Sequence, residues 1–93
     1  MELKQVEGED RGDVILYTLS TCGWCRKTKQ LLKDLGVAYR YIDVDLLPAK
    51  EQQDVMKSIA VKNPTGNFPT IIINDDTCII GFREAEIREA LEK

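Results

Sequence analysis

The sequence predicts one α/β domain whose four-stranded mixed sheet has helices on both faces, with the element order β-α-β-α-β-β-α. Short β-branched apolar runs at Val14–Tyr17 and Pro69–Ile73 are typical of buried strands. Apolar or small residues recur at helical spacing from Trp24 to Leu35. The turn Asn74–Asp76 joins Pro69–Ile73 to Thr77–Ile80, which predicts an antiparallel hairpin.

The other elements are predicted from local signals. Ala38–Val44 is rich in β-formers and forms the second strand of a right-handed βαβ unit. Pro48 suits the first turn of the second helix, where its missing N–H is not needed. The apolar stripe of that helix consists of Val55, Met56 and Ile59. The last helix runs from about Arg83 to Leu91, and Gly36 marks the end of the first helix.

The predicted domain covers residues 13–93, and residues 1–12, which have no sustained period, are expected to form a flexible extension. The net charge of −3 argues against nucleic acid as a partner, because phosphate binding needs a basic surface. No apolar run approaches the roughly 20 residues that span a bilayer, which argues against a membrane protein. Residues 1–13 lack the apolar stretch of a signal peptide, so we expect a cytoplasmic protein.

The dithiol Cys22–Gly23–Trp24–Cys25 is the strongest chemical signal. It stands where the first strand passes into the first helix, and the helix N-terminus favours a thiolate at Cys22. We expect Cys22 to attack a target disulfide and Cys25, on the core-facing side of the helix, to resolve the mixed disulfide. The following basic residues Arg26, Lys27 and Lys29 are expected to form a solvated face.

Metal binding and histidine-dependent catalysis are disfavoured. Histidine is absent, which excludes Cys–His and Ser–His arrangements. Structural zinc needs four ligands, whereas this chain offers one close cysteine pair and Cys78, which lies in a predicted strand. We therefore predict no metal site and expect Cys78 to be a small core residue.

Four segments together carry a resemblance to a known family. They are Tyr17-Thr18 before the dithiol, Tyr41–Asp45 (YIDVD), Phe68-Pro69-Thr70 and Ile79–Phe82 (IIGF). In combination they resemble the glutaredoxin branch of the thioredoxin superfamily, from about residue 14 to residue 91. The resemblance implies a thioredoxin-type fold and a thiol–disulfide oxidoreductase that transfers electrons to protein disulfides or mixed disulfides.

The resemblance also implies which residues surround the dithiol. It implies a cis Phe68–Pro69 bond whose backbone pairs with an extended thiol substrate, and a groove lined by Gly81 and the start of the last helix. The residues that it assigns to thiol or substrate binding are Trp24, Phe68, Pro69, Thr70, Gly81, Phe82 and Arg83.

Two departures from the family bear on the electron donor. Leu19 stands where glutathione-using members usually carry a lysine. Gly81-Phe82-Arg83 stands where a double glycine is common, and it resembles the redoxins that take electrons from a reductase protein. The donor is therefore glutathione, another low-molecular-weight thiol or a reductase protein. No bound cofactor is expected.

Two other functions remain open at this stage. Some relatives bridge a [2Fe–2S] cluster between two copies through the first cysteine and a small thiol, which would require a dimer using Cys22. A non-catalytic interaction module is the third interpretation, and an intact dithiol disfavours it. For the oxidoreductase we expect a monomer.

Overall fold

A computed structural model describes residues 3–63 and 66–91 of the chain. Five strands form one mixed sheet in the order β1-β3-β2-β4-β5. The strands are β1 Lys4–Val6, β2 Val14–Thr18, β3 Tyr39–Asp43, β4 Thr70–Ile73 and β5 Thr77–Ile80. The helices are α1 Gly23–Leu35, α2 Ala49–Ala60 and α3 Glu84–Leu91, and a short 3-10 helix spans Val44–Leu46.

Strand β2 lies at the centre of the sheet and leads directly to the dithiol. It runs parallel to β3 and antiparallel to β4, so that Leu16 is opposite Tyr41 on one side and Ile71 on the other. The β4–β5 hairpin extends the sheet beyond β4. Because β2 ends at Thr18, the loop that follows places Cys22 beyond the carboxyl end of this central strand, where α1 begins.

Two apolar cores cover the two faces of the sheet. On one face α1 and α3 pack with residues such as Leu32 and Ile87, which are fully buried. On the other face α2 packs through Val55 and Ile59. The alternation along β2 divides its side chains between the cores, since Leu16 joins the first and Tyr17 the second. The mixed sheet with helices on both faces is therefore confirmed.

The N-terminal region differs from the prediction of a flexible extension over residues 1–12. Strand β1 pairs antiparallel with β3, with Val6 opposite Tyr39. After β1, the backbone of Glu9 makes two hydrogen bonds to the segment before β3. Its N–H donates to Gly36 O at 2.7 Å, and its carbonyl accepts from Ala38 N–H at 2.9 Å. The prediction is wrong here because edge pairing uses backbone groups and leaves little pattern in exposed side chains. Residues 1 and 2 lie outside the described residues.

Helix boundaries agree with the prediction to within a residue or so. Helix α1 ends as expected, because Gly36 has a positive φ of 69° and its N–H reaches the last carbonyls of the helix. Pro48 is the N-cap of α2 rather than part of its first turn. Helix α3 begins at Glu84, one residue after Arg83. Residues 64 and 65, between α2 and β4, lie outside the described residues, as do residues 92 and 93 of the predicted domain.

No helix within residues 3–63 and 66–91 has the length and apolar character needed to cross a membrane.

Candidate active site

Cys22 is the N-cap residue of α1. Its backbone is extended, with φ −84° and ψ 117°, and its Sγ accepts a hydrogen bond from the Cys25 backbone N–H at 3.1 Å. The first amides of a helix lack partners within the helix, so a cap that accepts from them is stabilised as an anion. The half-buried Cys22 side chain therefore lies at the end of the helix, where solvent reaches it.

Cys25 lies one turn further into α1 in a different environment. It is only 1% exposed, and both cysteines are free thiols. Burial raises the pKa of the Cys25 thiol to about 12, and its hydrogen bond with Cys22 acts in the same direction. A thiol of this kind stays protonated at neutral pH and is shielded from solvent, whereas Cys22 is accessible. The two sulfurs therefore lie in different environments, one accessible and one buried.

A polar network joins α1 to the ends of β2 and β3. The Thr18 hydroxyl, fully buried, donates to the Asp43 carboxylate, and the Lys29 Nζ lies 3.4 Å from the same Asp43 oxygen. The Lys29 ammonium also lies 4.2 Å from the Tyr41 ring centroid. Lys29 was expected on a solvated face, but its side chain is only 28% exposed. The Lys29 side chain folds back toward the sheet because its ammonium pairs with Asp43. Helix periodicity cannot predict this contact.

The loop before Cys22 is tied to the 3-10 helix. Asp45 accepts two hydrogen bonds from Ser20, one from its backbone N–H at 2.8 Å and one from its hydroxyl at 2.5 Å. The bonds from Ser20 lower the pKa of the Asp45 carboxyl. The Cys22 N–H in turn donates to Leu19 O at 3.1 Å. Asp45 therefore helps to position Cys22. Apart from the place of Asp45 in the YIDVD segment, nothing in the sequence pointed to this role.

An open cleft beside the dithiol brings together four of the predicted site residues. They are Trp24, Phe68, Gly81 and Phe82. Trp24 stacks on Phe82 with ring centroids 5.7 Å apart and an interplanar angle of 27°. Trp24 comes from the first turn of α1, Phe68 from the loop before β4, and the other two from the segment after β5. Residues that are widely separated in the chain therefore form one surface.

The Phe68–Pro69 peptide bond is cis, as the resemblance implied. Pro69 is buried, and its carbonyl accepts a hydrogen bond from Gly81 N–H at 2.8 Å, which joins the turn to the end of β5. The backbone of Phe68 makes no hydrogen bond within the part of the chain that the structure describes.

The buried side-chain amide of Asn63 supports the Phe68–Pro69 turn. Asn63 is 1% exposed, and its Nδ2 donates to Asn67 O at 3.0 Å and to Thr70 Oγ1 at 2.8 Å. The Thr70 hydroxyl donates to Asn67 O at 2.7 Å, while the Asn63 Oδ1 accepts from Gly66 N–H. The Thr70 side chain is fully buried, so it supports the turn and does not line the cleft. Sequence reasoning missed Asn63, because its loop position gave no sign of burial.

Arg83 and Cys78 lie apart from the cleft lining. Arg83 is exposed and its Nε donates to Ile80 O at 3.0 Å. Cys78 is half-buried in β5 and packs against the α2 core, and burial raises the pKa of its thiol. Among residues 3–63 and 66–91, no group of three or more His, Cys, Asp or Glu side chains is arranged to hold a metal ion.

Comparison with known proteins agrees with this geometry. The family model named Glutaredoxin matches residues 14–78. A glutaredoxin-like 8.6 kDa protein in the rubredoxin operon of Clostridium pasteurianum is 33% identical over 78 residues, which cover 84% of this chain and 96% of that protein.

Two solved structures are similar over nearly the whole chain. Methanoredoxin from Methanosarcina acetivorans is 51% identical with a TM-score of 0.88, covering 92% of this chain and 90% of its own. A glutaredoxin from Methanosarcina mazei Go1 is 50% identical with a TM-score of 0.90, covering 100% of this chain and 90% of its own. The fold is therefore thioredoxin-like, with five strands in place of the four predicted, and the chain carries the cysteine pair at the start of α1. This chain belongs to the glutaredoxin family.

Proposed function

We propose that the protein is a dithiol thiol–disulfide oxidoreductase that reduces protein disulfides or mixed disulfides. The observation that carries the proposal is the contrast between its two cysteines. Cys22 is accessible and accepts an amide hydrogen bond at the N-terminus of α1, whereas Cys25 is 1% exposed one turn away. This arrangement supplies one sulfur to capture a target and a second to release it.

The proposed reaction has two exchange steps. The Cys22 thiolate attacks one sulfur of the target disulfide, forming a Cys22–target bond while the other target sulfur leaves as a thiolate. Cys25 then loses its proton and attacks the Cys22 sulfur. A Cys22–Cys25 bond forms, and the second target sulfur leaves and takes up a proton. The target gains two electrons and the protein dithiol loses two, which a donor must restore.

The donor is a low-molecular-weight thiol or a reductase protein. Leu19, three residues before Cys22, is half-buried and packs against the α2 core, so this position offers no cation. A charge-assisted hydrogen bond to a glutathione carboxylate is worth about 1.5–3 kcal/mol, and this chain lacks it there. The chemistry proposed needs no bound cofactor. A reducing compartment such as the cytoplasm suits it, because thiols are kept reduced there.

Three single substitutions test the proposal. Cys22→Ser should abolish reduction of a peptide disulfide, because no accessible thiolate remains. Cys25→Ser should trap the Cys22–target adduct, which intact-protein mass spectrometry detects. Cys78→Ser is the matched control and should leave turnover unchanged, since Cys78 lies outside the cleft.

Two outcomes would contradict the proposal. If Cys25→Ser reduces dithiol targets as fast as the native protein, the resolving role is wrong. If the protein purified without oxygen is brown, absorbs in the visible range and reduces no disulfide, the cluster-bridging function applies instead.

A further inference from the structure

Lys29 lies one helical turn after the buried cysteine Cys25 on α1. The two residues are four positions apart, and side chains at this spacing are neighbours on a helix. Cys25 is 1% exposed, and the Lys29 side chain is only 28% exposed. An unpartnered lysine on a helix surface extends its ammonium into water, so specific contacts hold this one against the sheet.

Two side chains of β3 hold the Lys29 ammonium. Its Nζ lies 3.4 Å from Asp43 Oδ1 and 4.2 Å from the Tyr41 ring centroid. Asp43 is itself fixed by the buried hydroxyl of Thr18, the last residue of β2, which is also its partner in the sheet. The ammonium is therefore anchored where the carboxyl ends of β2 and β3 lie side by side. The dithiol loop leaves the sheet at this same end.

The electrostatic environment of Cys25 changes during the proposed reaction. In the reduced protein, burial and the hydrogen bond with Cys22 raise the pKa of Cys25, whereas the Leu19 backbone and the Lys29 ammonium lower it. Once Cys22 is bonded to a target, it no longer carries the proton or the negative charge that opposes ionisation of Cys25. The positive charge of Lys29 is still present at that stage, when Cys25 must lose its proton.

The other charged groups around Lys29 differ from it in exposure or in sign. Asp43, the carboxylate across from it on β3, is 14% exposed and cancels part of its charge while it fixes the ammonium in place. Four further charged side chains from the N-terminal segment and α1 are exposed, so that solvent and salt screen them. They are Lys4, beside Tyr41, and Glu7, Arg26 and Lys33, which line a groove with Lys29.

We propose that Lys29 is a positioning residue for the second exchange step, in which its anchored ammonium favours the Cys25 thiolate and so speeds release of the target. In that step the Cys25 thiol gives its proton to solvent, and its thiolate attacks the Cys22 sulfur. The Cys22–Cys25 bond forms, and the target sulfur leaves as a thiolate. Lys29 forms no bond and acts through its charge. This inference rests on the proposed function and adds a residue outside the cysteine pair.

Reaction with dithiobis(nitrobenzoate) separates the two steps. The protein carries Cys78→Ser, so that the dithiol supplies the reacting thiols. Attack by Cys22 releases the first coloured thionitrobenzoate at a rate proportional to the reagent concentration. Attack by Cys25 on the Cys22 adduct then releases the second at a rate independent of that concentration. Adding Cys25→Ser should remove the second phase, which identifies it with Cys25.

Lys29→Met removes the charge and keeps the length of the side chain. A loss of thiolate of about tenfold is offset about threefold by the greater nucleophilicity of a more basic sulfur. At pH 7 and low salt we therefore expect the ratio of the second rate constant to the first to fall by about threefold. Lys29→Arg should restore the native ratio. At about 1 M salt the effect of Lys29→Met should shrink, because the partly exposed charge is screened.

Lys33→Met is the matched control. It removes the same charge one turn further along α1 at an exposed position, so the ratio should stay at the native value. Circular dichroism checks folding, and Lys29→Gln replaces Lys29→Met if the latter does not fold. A native ratio in Lys29→Met, or a Lys29→Arg protein as slow as Lys29→Met, would overturn the role of Lys29 while leaving the oxidoreductase intact. Absence of either phase in the Cys78→Ser protein would instead overturn the proposed function.

Discussion

The two cysteines of the motif differ in environment although only two residues separate them. Cys22 lies at the surface with an amide directed at its sulfur, and Cys25 lies beneath it against the core. The reason is helical geometry, since the N-cap projects from the helix end while the third residue after it turns toward the sheet. One residue type therefore has two chemical environments within one helical turn.

Selective alkylation checks this difference. With the pKa of Cys25 raised to about 12, chiefly by burial, its thiolate is scarce at pH 7, where Cys22 remains accessible. We expect iodoacetamide at pH 7 to label Cys22 at least about tenfold faster than Cys25, as measured by mass spectrometry of peptides from the reduced native protein. In urea the cysteines should react at similar rates. Equal labelling in the native state would contradict the assignment of roles.

Asn63 acts at the same scale by supporting the Phe68–Pro69 turn. Asn63→Ala should lower the free energy of unfolding by about 1–3 kcal/mol, because it removes buried hydrogen bonds and leaves Thr70 with one partner fewer. Urea unfolding monitored by circular dichroism measures the change. Asn67→Ala is the matched control, since Asn67 takes part through its backbone carbonyl and its side chain is exposed. An Asn67→Ala loss as large as that of Asn63→Ala would show that the buried amide has no special role.

At the scale of elements, the active-site loop is held from both sides. Cys22 is the N-cap of helix α1. Ser20, earlier in the same loop, donates two hydrogen bonds to Asp45 in the 3-10 helix Val44–Leu46. On the far side of the cleft, the Pro69 carbonyl binds Gly81 N–H. The dithiol and the cleft are thus positioned by hydrogen bonds between ends of elements rather than within one element.

The Asp45 contact should make stability depend on pH in a defined direction. Because the pKa of Asp45 is lowered in the folded protein by its bonds from Ser20, its stabilising effect is present above the unfolded pKa of about 3.9 and is lost as the pH falls through the lower folded value. We expect Asp45→Ala to lower the melting temperature at pH 7 and to differ less from the native protein near pH 2. Thermal unfolding at the two pH values measures this.

The control for that experiment is Asp54→Ala. Asp54 is an exposed carboxylate of α2 that accepts no hydrogen bond from the described residues, so its removal should change the melting temperature little at either pH. A loss for Asp45→Ala that is equally large at both pH values would exclude the charged carboxylate as its source.

At the scale of the whole molecule, we predict a monomer. The exposed large apolar side chains of the described residues are Trp24, Leu46 and Val61, which belong to different elements and form no broad patch of the kind that obligate dimers bury. The Cα radius of gyration is 12.3 Å, the size expected for one compact chain of this length. Small-angle scattering of the reduced protein should give a value near this at every concentration, whereas a compact dimer would give about 16 Å.

The sequence by itself determined the parts of the protein that depend on neighbours in the chain. The strand at Val14, the helix that begins after Cys22 and ends at Gly36, and the final hairpin all follow from periodicity, caps and turn residues. The dithiol and its position at a helix N-terminus follow from the same local signals. The resemblance added the Phe68-Pro69 turn and Gly81 as candidate site residues, although no local rule shows that they lie near Trp24.

Only the tertiary structure decided which polar groups meet. It brought Asp45 to Ser20, Lys29 to Asp43 and Asn63 to Thr70, and it added strand β1 to the edge of β3. These contacts join single polar side chains or backbone edges from different elements. Such contacts leave no periodic trace in the sequence, because each depends on where two elements end in space and not on what surrounds either residue in the chain.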